Sequence, residues 1–531
     1  MLTAAACSST PATAPVVSPP PPSISTTTAR IPADPFGRTP GGTLVYGLEA
    51  PASGLLPSES GCDVSCRQLL ATIADPLVAR TSAGDIVPFV LEAIVPSDDY
   101  FTWTLTVRDD VAFHDDTLLT GAELAAHIDR CRLSPLTSAW FAPIVAVTAD
   151  GPSVTLDLAE PWLSFPDMLV THPCNFVVRG LPDAPIGTGP FAIPVEALGT
   201  AAARTGDGLV VTRFDDYWRG SRGTGEDLPL LDRIEFTVQP SVDDRARLLA
   251  GHALSAYQTS QPAPGSLSST LGTDPYQLVF NVADPTRLGS VDDCRHAFAA
   301  ATDRSAFVPT PDLAASGPFG PDELGYLEAL AFDPPPDVAA SMADCVAAGS
   351  TSELTILTTA DPVAAPMAQS MASQWNDGSD GAITVTVTEV DPIELSERAL
   401  VGDFDAIVWR NGGGLHPDAW LPWWHSASIA DLGTISLNIG RFADPSIDQA
   451  LKTLRIDPLP LEQQRAAQEI TRAFDRADWI IWLAWTRWSI VAGPRVHGLD
   501  NPSGPDGTDL TALVAGAHPT ATLWCDNAAC S

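Results

Sequence analysis

From Phe101 to Arg108 the chain reads Phe-Thr-Trp-Thr-Leu-Thr-Val-Arg, alternating apolar and polar side chains over eight positions. That is the period of a strand with one buried face. Asp109 and Asp110 mark a turn, and Thr120-Gly-Ala-Glu123 forms a capping box. After it, Leu124, Ile128 and Cys131 recur at i, i+4 and i+7 on one helix face. Similar patterns predict strands over Thr43–Gly47, Val154–Leu158, Leu209–Arg213, Leu354–Thr358 and Ile383–Thr388, and a Trp-rich strand over Ile480–Ile490. Helices are predicted over Arg67–Ile73, Asp293–Ala301 and Leu461–Arg476, the second with Cys294, Ala297, Phe298 and Ala301 inward. Strands and helices mix without a repeat of fixed period, which predicts an α/β or α+β chain of several lobes.

The length of 531 residues suggests three to five domains or one large lobed unit. No stretch of about 18 uninterrupted apolar residues occurs, so any membrane link would have to be an anchor. Against 65 acidic residues stand 28 basic ones, a net charge of -37, and Lys452 is the sole lysine. Such a balance argues against nucleic-acid binding through a basic face and leaves little room for Schiff-base chemistry. The chain contains no phosphate-binding G-x-x-x-x-G-K-[ST], no H-E-x-x-H and no G-x-S-x-G, and its nine histidines are scattered. A secreted hydrolase using paired carboxylates is the rival from another class, but no spacing singles out such a pair. No metal site and no cofactor are implied.

Met1-Leu-Thr-Ala-Ala-Ala-Cys7 places three small residues before a cysteine, and a Ser/Thr/Pro-rich run follows to about Pro40. The arrangement resembles a bacterial lipobox, with Cys7 the lipidated residue. Residues 1–39 then read as a truncated lipoprotein signal and a disordered tether. The other eight cysteines form an even set, as expected of an oxidising compartment. Local closeness favours Cys62–Cys66 and Cys525–Cys530, leaving Cys131–Cys174 and Cys294–Cys345.

Several stretches, in order, resemble one family. Trp103-Thr-Leu-Thr-Val-Arg-Asp-Asp-Val-Ala-Phe-His-Asp-Asp-Thr-Leu-Leu-Thr-Gly-Ala-Glu-Leu124 is similar to a strand, turn and helix signature. Pro185-Ile-Gly-Thr-Gly-Pro-Phe191 is similar to a G-T-G-P-[YF] crossing segment. Arg213–Gly220, Leu231–Phe236, Val279–Asn281, Cys294–Arg304 and Gly402–Trp409 complete the set. Together they resemble the solute-binding proteins of peptide, oligopeptide and nickel-type ABC importers, bacterial extracellular solute-binding family 5, over residues 40–500. The resemblance implies a type II periplasmic-binding-protein clamshell of three lobes. Lobe I would comprise 40–80, 190–275 and 492–531, lobe II 81–189, and lobe III 276–491. It also implies an extracytoplasmic monomer, periplasmic or anchored to the outer face of the bacterial cell membrane, that captures a peptide or similar solute and delivers it to an ABC permease. An oligosaccharide or other non-peptide solute is the alternative, as is a sensor or adhesion lipoprotein that kept the clamshell without the transporter.

Eight of the fourteen tryptophans fall between 409 and 488. Flat amphipathic side chains suit a cleft that grips a ligand without acid or base chemistry. Trp409, Trp420, Trp424 and Trp485 are the candidate cleft residues among them, joined by Glu49, Arg410, Asn411 and Arg487. Peptide-binding members of the family place an Asp shortly after the Trp of this segment to meet the ligand's α-ammonium. Here those positions hold Arg410, Asn411 and Gly412. An Arg repels an ammonium and attracts carboxylates or hydroxyls, so a free peptide N-terminus needs Asp418 or Glu49 as a substitute.

Overall fold

Alternation predicts the strand at Thr102–Val107 because it buries Trp103, Leu105 and Val107 and leaves Thr102, Thr104 and Thr106 at the surface edge of the core. In the computed structural model this strand lies in an antiparallel four-stranded sheet ordered Leu91–Pro96, Thr102–Val107, Ser153–Leu158, Ile144–Asp150. The structure describes residues 38 and 40–530, apart from 53, 182–183, 195–207, 222–227, 261–262, 264–265, 269–273, 311–312, 322, 329–341, 343–344, 346–350, 501 and 527–528. Cys7 and the expected tether lie outside the described residues.

The helix Gly121–Leu133 packs on this sheet. Its N-cap is Thr120, whose hydroxyl accepts from the Glu123 backbone N–H at 3.2 Å, and Leu124, Ile128 and Cys131 face the core as predicted. Cys131 is bonded to Cys174, and the other bridges are Cys62–Cys66, Cys294–Cys345 and Cys525–Cys530, the four pairings expected.

Two further sheets complete the frame among the described residues. A seven-stranded sheet runs Phe191–Ala192, Leu209–Arg213, Arg233–Val238, Thr43–Leu48, Ala256–Thr259, Ser489–Ala492, Leu267–Ser268. Its centre is parallel, Thr43–Leu48 lying between Arg233–Val238 and Ala256–Thr259. A five-stranded sheet runs Thr384–Glu389, Glu353–Thr358, Ala406–Arg410, Tyr276–Phe280, Ile480–Ala484. Helices cover both faces of the latter. Ala364–Gly378 buries Met367, Met371 and Trp375 on one side, and Pro460–Ala477 buries Ile470 and Phe474 on the other.

The predicted strand Ile480–Ile490 is two strands in two different sheets. Ile480–Ala484 pairs with Tyr276–Phe280, whereas Ser489–Ala492 pairs with Ala256–Thr259. Residues 489–491, expected in lobe III, therefore belong to the seven-stranded sheet. Between them the chain crosses at Trp485–Trp488, held by Trp485 N–H to the Leu313 carbonyl at 2.8 Å and by the Thr486 hydroxyl to the Asp274 carbonyl at 2.6 Å. Both halves are apolar, so periodicity carries no sign of the break.

A second crossing, Gly187-Thr-Gly-Pro190, lies against the end of the helix Val64–Ile73. A Cβ at Gly187 would sit 1.9 Å from the Ile73 carbonyl oxygen, and one at Gly189 2.5 Å from the Ala74 nitrogen. Glycine is needed here because two backbones touch.

Candidate functional site

The strands Thr43–Leu48 and Ala406–Arg410 end facing each other, and Glu49 and Arg410 sit at those carboxyl ends, where α/β sheets usually present ligand-binding groups. Arg410 Nη2 donates to Glu49 Oε1 at 2.8 Å and Nη1 to the Tyr276 hydroxyl at 3.2 Å, while Nε lies 3.7 Å from Asp274 Oδ2. The guanidinium also stacks 4.4 Å over the Trp488 ring, whose Nε1–H donates to Asp274 at 2.8 Å. Burial alone would lower the Arg410 pKa, but Tyr276, Glu49, Asp274 and Asp361 together outweigh it and raise it.

Two residues expected to meet a ligand, Glu49 and Arg410, thus meet each other. Glu49 is committed to a cation and is not a free partner for an α-ammonium.

Asp418, the other possible substitute, is fully buried. Its carboxylate accepts from Trp162 Nε1 at 3.0 Å, the Ser164 hydroxyl at 2.7 Å and His416 Nδ1 at 2.8 Å, and lies 3.4 Å from Arg455 Nε. Trp162 and Ser164 come from the body of the four-stranded sheet, so this network joins it to the loop following Arg410. Burial would raise the Asp418 pKa; the hydrogen bond and charge of His416, with Arg455 and Ser164, hold it below the ordinary value. His416 is raised by the same contact, against the opposing effect of burial.

Trp420 and Trp424, expected in the cleft, are core residues. Their rings stack at 4.5 Å, inclined by 5°, among Phe319, Phe474 and Trp482. They fall on a short 3-10 and α-helical stretch, Pro417–Trp424, whose i, i+4 spacing points both inward. Trp485 is buried too, edge-on to Tyr326 at 6.0 Å, with its indole N–H unpartnered among the described residues. Asn411 is nearly buried beside Arg410, and Arg487 lies half-buried on the crossing segment with its Nε unpartnered among the described residues.

Trp409 is half-buried, and it begins a row that sequence reasoning only partly found. It meets Trp423 edge-on at 5.9 Å, Trp423 meets Trp140 at 5.7 Å, and Trp140 meets His172 at 5.5 Å. The row runs from the five-stranded sheet to the four-stranded body. The indole N–H groups of Trp409 and Trp423 are both buried and without an acceptor among the described residues. Trp140 spends its own on the Ala419 carbonyl at 3.1 Å. A lone Trp140 carried no signal in the sequence, because its partners are distant in the chain. Among the described residues no three His, Cys, Asp or Glu side chains gather in a way that could hold a metal ion. The arrangement offers aromatic faces and N–H donors, suited to binding an acceptor-bearing solute.

The model of the bacterial extracellular solute-binding proteins, family 5, matches residues 85–431. The nickel-binding periplasmic protein of Escherichia coli (strain K12) is 28% identical over 192 residues, a third of each chain. The chain therefore spans about a third of that curated relative. Among solved structures, AgaA of A. tumefaciens R10 in complex with agropinic acid superposes with a TM-score of 0.74 at 22% identity, covering 91% of this chain and 99% of its own. The Escherichia coli murein tripeptide binding protein MppA gives 0.73 at 17%, covering 92% and 99%. These likenesses show the type II periplasmic-binding-protein fold, with its mixture of helices and sheets, and the match over residues 85–431 makes the chain a member of the bacterial extracellular solute-binding proteins, family 5.

Proposed function

We propose that this protein is the extracytoplasmic receptor of an ABC importer, which captures a peptide or similar small oligomeric solute between its lobes and presents it to the permease. The observation that carries this reading is the pair of unsatisfied indole donors, Trp409 and Trp423, on an aromatic row spanning two sheets. Buried donors without acceptors are costly, on the order of 1–3 kcal/mol each, and a ligand bearing carbonyl or hydroxyl oxygens would relieve both. Lobe I is proposed around the seven-stranded sheet, lobe II around the four-stranded sheet and lobe III around the five-stranded sheet, with the last crossing at 485–488. Such a receptor makes and breaks no bond: ligand touching several lobes favours the closed state in proportion to its differential affinity.

Four disulfides support an oxidising, extracytoplasmic location. Lipidation of Cys7 and a monomeric state belong to the same proposal. No described helix is long and apolar enough to cross a membrane.

A second reading, a non-peptide solute, is favoured by one observation. Glu49 and Asp418, the carboxylates that could receive an α-ammonium, are both engaged by protein cations. Native mass spectrometry of the chain purified from an oxidising compartment, before and after mild denaturation, tests both readings. A released mass series spaced by amino-acid residues establishes peptide capture; hexose spacing or a single polar acid establishes the second. Trp409→Phe and Trp423→Phe, which keep the ring and remove the N–H, should each weaken retention about tenfold or more. Unchanged retention in both variants would remove the receptor site from this row.

A further inference from the structure

A cleft of about 80 Å3 lies where the seven-stranded and four-stranded bodies meet, beside the crossing at Pro190. That is several times the roughly 10–15 Å3 that one water needs, room for a small molecule of a few heavy atoms. None of its walls comes from the Trp409–Trp423 row. Ala71, Val170, Phe176, Val514 and Ala521 make it mostly apolar, yet three arginines, Arg67, Arg80 and Arg219, also line it.

Neither Arg67 nor Arg80 forms an ion pair among the described residues, although the chain carries a net charge of -37. Arg67 donates through Nη1 to the Thr171 carbonyl. Burial lowers its pKa to about 10, only partly countered by the charges of Asp274 and Asp63. The acidic wall residue, Asp75, accepts from the Tyr217 hydroxyl at 3.0 Å and from Trp218 Nε1 at 2.7 Å, and burial raises its pKa to about 7. It is therefore only partly ionised near neutrality and offsets part of the positive charge. A further polar feature is Thr520, 2% exposed, which lines the cleft with its hydroxyl unpartnered among the described residues. A buried hydroxyl without a partner is a donor in need of an acceptor.

We infer that this cleft is a second binding site, separate from the Trp409 row, for a small monocarboxylate with an apolar body. The guanidinium N–H groups of Arg67 and Arg80 and the Thr520 hydroxyl supply donors for one carboxylate, and the aliphatic and aromatic walls take the rest of the molecule. A strongly hydrated inorganic anion would forfeit its water shell against those walls without compensation. An apolar cation is repelled.

The test uses the full chain with hexanoate as probe and hexanol and hexylammonium as controls, read by isothermal titration calorimetry. Hexanoate should bind saturably with a dissociation constant below about 1 mM, and hexanol about tenfold more weakly or worse. Arg80→Gln and Thr520→Val should each weaken hexanoate at least threefold and leave hexanol unchanged. A diazirine-bearing hexanoate should cross-link within 170–176 or 510–521, as mapped by peptide mass spectrometry on unaltered protein. Equal affinity for hexanoate and hexanol, no saturable binding, or cross-links confined to 409–425 would each overturn the inference. Cross-links at 409–425 would place the acid in the receptor cleft, whereas loss of the receptor function proposed above leaves this site's binding and mapping unaffected.

Discussion

Arg410 and Glu49, 361 positions apart in the chain, meet at 2.8 Å between the ends of two strands in different sheets. Both are largely shielded from water, so the pair is a clasp between those sheets more than a surface decoration. Arg410→Ala would leave Glu49 and Asp274 close together without their shared cation. It should cost about 3 kcal/mol in urea unfolding, whereas an exposed pair costs under about 1 kcal/mol. A loss below that lower figure would show that the clasp is not formed in solution.

The buried histidines give the protein a pronounced acid sensitivity. Burial lowers His114, His127 and His518 to about 4 and His172 to about 3. Unfolded chains bind protons at these positions near pH 6.5, so stability falls as pH drops from 6.5 towards 4, with a limiting slope on the order of 1.4 kcal/mol per pH unit per histidine. Asp75, raised to about 7, and Asp63, raised to about 6, act in the opposite direction over the same range, as do the raised carboxyls of Asp167 and Asp475, and they offset part of the decline. The urea midpoint should decline below pH 6.5, and His127→Asn should flatten the decline. A midpoint unchanged between pH 7 and 4.5 would contradict these burials.

At higher pH a different group takes over. His416 is raised by Asp418, so its contribution is complete below about pH 6.5 and is lost as pH climbs through the folded-state value. His416→Gln should abolish that alkaline decline while retaining a donor to Asp418. The comparison of urea midpoints at pH 6 and 8.5 reads it directly.

Gly187→Ala should be among the most damaging single-methyl changes in the chain. Its Cβ would fall 1.9 Å from a backbone oxygen that has no side chain to rotate away. About 3 kcal/mol or more, seen as a lower melting temperature or loss of soluble protein, is expected. Gly412→Ala, in the loop after Arg410, meets nothing within 4 Å and should be neutral.

Trp420→Ala removes half of a stacked pair from the core and should cost about 3–5 kcal/mol. Trp423, outside that stack, should cost less in stability and more in ligand retention. Equal effects of the two on both measurements would mean that core and cleft are not separated as described.

Local signals sufficed where one face of an element meets one core. The Thr120 capping box, the alternation through Trp103 and Leu105, and the pairing of near cysteines are properties of short segments. The family resemblance supplied the type II periplasmic-binding-protein fold. What sequence could not supply was the direction of each tryptophan, since a helical turn puts Trp420 and Trp424 inside while leaving Trp423 beside Trp409. Nor could it reveal that Arg410 and Glu49 satisfy each other, because charge pairing across 361 positions leaves no periodic trace. The break at Trp485–Trp488 was hidden for a related reason, as both flanking strands are equally apolar.

Asp274 touches both chain crossings between the five- and seven-stranded sheets: it precedes Tyr276, and it accepts from Thr486 and Trp488 on the return path. Two links tied at one point cannot bend independently. Such a tie should oppose twist and slide of those sheets more than a swing about that point. Fewer modes of motion left to freeze on binding would lower the entropic cost of capture and keep more of the contact energy for the solute.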